Sequence, residues 1–75
     1  MPPDLTPTRT RILSAALQLG SGATLRTIAQ KLGLTHEAVR QQAKILRDLG
    51  YLEPAATRFA PLTLTERARS SLGVG

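Results

Sequence analysis

The stretch from Thr24 to Gly50, TLRTIAQKLGLTHEAVRQQAKILRDLG, runs twice through one order of signals: a threonine, an apolar series at helical spacing, and a glycine. Thr24 can cap a first short helix, its hydroxyl accepting a hydrogen bond from an N–H that the first turn leaves unpaired. Leu25, Ile28, Ala29 and Leu32 then recur at the spacing of one helix face. Gly33 follows the last of them, where glycine tolerates a left-handed backbone, and Leu34 plugs the corner. Thr35 can cap a second helix running to Leu49, with Gly50 ending it as Gly33 ended the first. The pattern predicts two helices joined by a sharp turn.

The second helix, residues 35–49, has two unlike sides. Val39, Ala43, Leu46 and Leu49 fall on one stripe with Gln42 and Ile45 at its edge, so this stripe should pack on the rest of the domain. Glu37, Arg40, Gln41 and Lys44 project away from it, and His36 lies beside them at the amino-terminal end. Arginine, lysine and glutamine can reach base edges and phosphates in a major groove, and a glutamate can accept from a cytosine amino group. A helix-turn-helix with this outer side has the makings of a reading head for DNA.

A chain of 75 residues has room for one core. Aromatic residues are only 3% of it, so that core must be built from Leu, Ile, Val and Ala around Tyr51 and Phe59. Ten Lys and Arg against five Asp and Glu give a formal charge of +5, which favours a polyanionic partner, nucleic acid first among them, or else serves solubility alone. There is no cysteine, hence no disulfide and no thiol chemistry. No apolar run approaches the roughly 20 residues that span a bilayer, and MPPDLTPTRT lacks the regions of a signal peptide; a cytoplasmic location is expected. Catalysis fails on inventory: His36 is the single histidine, and the acids show no spacing that sets two beside a ligand. No enzyme, no metal and no cofactor is expected. The GSG at Gly20 to Gly22 ends a helix instead of joining a strand to one, so it reads as a hinge and not as a phosphate loop.

Residues 1–5 carry two prolines without periodicity and read as a flexible arm. Thr6 and Pro7 match a helix start, and the helix should run to about Leu19, burying Ile12, Leu13, Ala16 and Leu17. Arg9 and Arg11 are left near its start, where they can meet phosphates or stand solvated. Ala23 and Thr24 form a strand-like link into the helix pair. After Gly50 the period changes to two: Tyr51 to Glu53 and Phe59 to Leu64 read as the arms of a hairpin, with Leu62 and Leu64 facing in and Thr63 facing out. Its tip would carry Arg58, placed for a phosphate or a narrow minor groove. Thr65, or Thr63 in a capping box with Glu66, caps a last helix with Ala68 and Leu72 on its apolar side, and residues 73–75 read as a frayed end or linker.

The sequence IAQKLGLTHEAVRQQAKILRDLGYLE, followed by PLTLTERARSSL, resembles the winged helix-turn-helix of bacterial regulators of the MarR and ArsR types and of the LexA amino-terminal domain. The resemblance covers residues 6–72. It implies a mainly α fold with a small β-hairpin wing, in the order helix, short strand, helix, turn, helix, hairpin, short helix. It further implies sequence-specific binding of double-stranded DNA by a repressor-like transcriptional regulator, with the second helix of the pair in the major groove and the wing, residues 54–59, on backbone or minor groove. By position, Thr35, His36, Glu37, Arg40, Gln41 and Lys44 become the reading face, Thr24 and Arg26 phosphate contacts, and Arg58 the wing contact. A single module buries only about 600–1,000 Å² on DNA, so a homodimer or a further domain of the same protein is expected to supply the remaining specificity. Two alternatives stay open on the residues: a winged-helix protein interaction module, favoured by the acid Glu37 on the outer face, and the DNA-binding part of a replication initiator.

Overall fold

The computed structural model describes residues 5–54 and 61–73. Four α-helices follow in order: α1 (Pro7–Leu19), α2 (Leu25–Leu32), α3 (His36–Asp48) and α4 (Glu66–Ser71), with a 3-10 turn, Gly20–Gly22, between the first two. Each helix opens on a threonine in extended conformation. Thr6, Thr24, Thr35 and Thr65 accept from the backbone N–H groups of Arg9, Thr27, Ala38 and Ala68 respectively. The cap of α4 is therefore Thr65, not Thr63. Thr65 also donates to the Gly50 carbonyl at 2.6 Å, so the residue that starts α4 ties it to the end of α3.

The turn between α2 and α3 is built as the glycine demands. Gly33 has φ 70 and ψ 29, left-handed values that an L side chain rarely adopts. The N–H of Leu34 reaches back to the Ala29 carbonyl at 2.9 Å, a bond that closes a helix end over such a glycine. Leu34 itself is half-buried against the core. The second helix of the pair spans His36–Asp48, flanked by Thr35 and Leu49, and Gly50 beyond it has φ 86.

One cluster fills the centre, with Ile12, Leu13, Ile28, Val39, Leu46 and Tyr51 as its largest fully buried side chains. Two expectations about it need correction. Leu5 is buried, so the core extends into what read as a free arm. In α1 the buried residues are Ile12, Leu13, Ala15 and Ala16, while Leu17 is 37% exposed. Helices α1 and α2 pack against each other, and the small Ala15 and Ala16 are among the buried residues of α1. No buried polar or charged residue occurs among the described residues.

Of the expected hairpin, the described residues include the base. Among the described residues there is no strand; a single antiparallel bridge joins Leu52 and Leu64, flanked by Glu53 N–H to Thr63 O at 2.8 Å and Thr65 N–H to Tyr51 O at 3.1 Å. The N–H of Leu62 donates to the Ala23 carbonyl at 2.7 Å, which makes the link before α2 a third partner. Leu62 and Leu64 point inward and Thr63 outward. Among the described residues this pairing satisfies only a few backbone groups. Arg58 and nearly all of the expected wing, 54–59, lie outside the described residues. No helix among the described residues is long and apolar enough to cross a membrane.

Candidate nucleic-acid interface

The apolar residues of α3 decide which of its side chains face outward. Val39, Ala43 and Leu46 are buried, and at about 100° per residue Glu37, Gln41 and Lys44 fall roughly opposite them, Arg40 falls on the flank, and His36 lies nearer the buried stripe in the first turn. His36, Glu37, Arg40, Gln41 and Lys44 are all exposed, as is Thr35, the residue just before the helix. Of the expected reading face, Glu37, Arg40, Gln41 and Lys44 thus run along the outward side of α3, and Thr35 and His36 stand where the helix begins. Thr35 differs from the rest because its hydroxyl serves the helix cap, accepting from Ala38 N–H at 3.1 Å.

Three of these side chains are joined. Arg40 Nε donates to Glu37 Oε2 at 2.9 Å, its Nη2 donates to Oε1, and Gln41 Nε2 lies 3.4 Å from that same Oε1. Glu37–Arg40 is the one ion pair found among the described residues. The hydrogen bond from Arg40 is the main cause that holds the Glu37 carboxyl below the usual range; partial desolvation opposes it, and the charges of Arg40 and His36 assist. The same bond raises Arg40 further above the ordinary arginine value. Spacing alone offered the signal for this pair, since residues three apart on a helix are neighbours. Because the folded carboxyl titrates below the unfolded one, the pair contributes fully above about pH 4.3 and is lost as pH falls through the lower folded value. Thermal melts of wild type and Glu37→Gln should therefore differ by the same small amount at pH 7 and pH 5.5. The difference should close only in acid below the usual carboxyl range; a gap that narrows between pH 7 and pH 5.5 would assign it to another group.

The remaining candidates lie at the start of α2. Arg26, its second residue, is exposed. Thr24 is half-buried and committed to the fold: its hydroxyl accepts from Thr27 N–H at 3.2 Å and sits 3.1 Å from the Thr27 hydroxyl, which in turn donates to Gly22 O at 2.6 Å. This reciprocal cap fixes where α2 begins and so where Arg26 stands. Other cations are drawn into structural contacts that the sequence did not disclose. Arg9 Nε donates to Gln42 Oε1 at 2.9 Å, which explains a polar residue at the edge of the α3 stripe. Arg47 Nε lies 3.4 Å from Glu53 O, and the Arg67 guanidinium lies 5.0 Å from the centre of the buried Tyr51 ring.

No protein-family model matches the chain, and no solved structure matches it. Among curated proteins it is similar to the LexA repressor of Deinococcus radiodurans, with 59% identity over all 75 residues. The chain spans 36% of that protein's length, so the likeness reaches across the whole of this domain and about a third of its relative.

Proposed function

We propose that this chain is a sequence-specific double-stranded DNA-binding domain of a repressor-like transcriptional regulator, with α3 seated in the major groove. The observation that carries the reading is the outer side of α3, where Glu37, Arg40, Gln41 and Lys44 are exposed, with His36 exposed at its amino-terminal end, and hydrogen bonds join Arg40 and Gln41 to Glu37. Arg40 and Gln41 offer donors to base edges, and Lys44 reaches bases or phosphates. Arg26, at the amino-terminal end of α2, joins a cation to the positive end of a helix dipole, a combination suited to a phosphate. The bonded base between Tyr51–Glu53 and Leu62–Thr65 supports the winged form of the motif, in which Arg58 would contact backbone or minor groove. Likeness over the full domain to a protein named a repressor supports the regulatory role. The acid that favoured protein docking is paired within its own helix, and this weakens that alternative.

The test is selection from a random duplex pool, with sequencing of the bound fraction at two salt concentrations. Enrichment of one motif, with affinity falling steeply as salt rises, is the expected result. A motif in two half-sites about one helical turn apart would establish binding as a pair. Weak capture without enrichment would overturn the reading in favour of a protein partner. Arg26→Ala is expected to weaken binding to all duplexes about equally and to reduce the salt slope by about one; a change confined to particular base positions would refute its assignment to phosphate.

A further inference from the structure

Arg40 is held before any DNA arrives. Its planar guanidinium carries N–H donors along two edges, one formed by Nε and Nη2 and the other by Nη1 and Nη2. Glu37 occupies the first edge with both carboxylate oxygens. The second edge faces away from the carboxylate and keeps two parallel donors, the arrangement that matches O6 and N7 of guanine. An arginine without such a holder swings through many rotamers and is as ready to meet a phosphate as a base. Phosphate contacts strengthen binding but carry no sequence information.

We infer that Glu37 is a positioning residue for specificity: it fixes the guanidinium of Arg40 by one edge so that the other is presented to a guanine in the major groove. This rests on the reading of α3 as the groove-bound helix and adds to it a role for the acid. Glu37 then does not itself touch a base. It removes conformational freedom from Arg40 in advance, so less is lost on binding, and it reduces the net positive charge of the face, which restrains attraction to any duplex regardless of sequence. The 3.4 Å approach of Gln41 Nε2 to the same carboxylate places a third face residue under its influence.

The experiment compares the 75-residue chain with Glu37→Gln and Glu37→Asp on the duplex selected by the wild type and on a scrambled duplex, over a range of salt. Position 37 is exposed, and both variants are expected to keep near-wild-type melting curves. Glu37→Gln should lower the ratio of selected to scrambled affinity by about tenfold. It should also raise binding to scrambled duplex, with a salt slope steeper by about 0.9 if Arg40 moves to one phosphate. Glu37→Asp keeps the charge but is one methylene too short to close both bonds, and it should lose discrimination as Glu37→Gln does. Discrimination retained by Glu37→Asp and lost by Glu37→Gln would assign the effect to charge and overturn the positioning role. Unchanged discrimination in both would overturn it as well. A wild-type chain that enriches no motif would instead remove the DNA reading beneath it.

Discussion

Leu46→Ala is expected to lower the free energy of unfolding by about 3 kcal/mol, the centre of the range for truncating a buried leucine. Leu46 is fully buried on the inner side of α3, so its removal leaves a cavity where that helix packs on the rest of the domain. A chain of 75 residues has only about 4 to 11 kcal/mol of stability in all. The melting temperature should therefore fall by roughly 15 °C, readable by circular dichroism. The paired control is Leu17→Ala, the same chemical change at a residue that is 37% exposed, for which a loss of at most about 1 kcal/mol is expected. Equal losses at the two positions would show that the core is not where it is placed here.

The second large effect concerns Arg40→Ala, which should reduce affinity for the selected duplex between tenfold and a hundredfold and erase the preference at one base pair. More than readout is removed. Glu37 loses the partner that neutralises it, and an unpaired carboxylate is left facing a polyanion. Adding Glu37→Gln to Arg40→Ala is accordingly expected to restore affinity a few-fold without restoring the preference, so the two effects should not add. Simple addition, or a further loss in the double variant, would show that the pair does not act as a unit on DNA.

Much of the helical plan was legible because local chemistry decided it. Threonine caps, the glycine after Leu32 and the stripe Val39, Ala43 and Leu46 all follow from groups within a turn or two of one another. What depended on distant neighbours was less so. Choosing Leu17 over Ala15 for the core of α1 follows hydrophobicity, whereas which side of α1 is covered depends on how the other helices pack on it, and Ala15 is the one buried. Leu5 lies beyond the helix pattern that would have flagged it, and its burial depends on the whole assembled core. The second arm showed the expected inward and outward alternation at Leu62, Thr63 and Leu64, yet backbone pairing is a property of two segments together, and only the Leu52–Leu64 bridge forms among the described residues. On the candidate site, the shared outer face of α3 could be read from the period, while the engagement of Arg9 by Gln42, 33 residues apart, could not.

The bridge at Leu52 and Leu64, with Leu62 also bonded to Ala23, gives the segment between them two anchored ends. The closure entropy of such a loop grows slowly with length, at about 0.6 kcal/mol for each doubling. Changes of length or sequence between the two anchors are therefore expected to leave α3 in its place on the core. For a designer, the domain is then a frame on which residues 55–60 and the outer side of α3 are expected to accept separate libraries while the buried residues of α3 stay as they are.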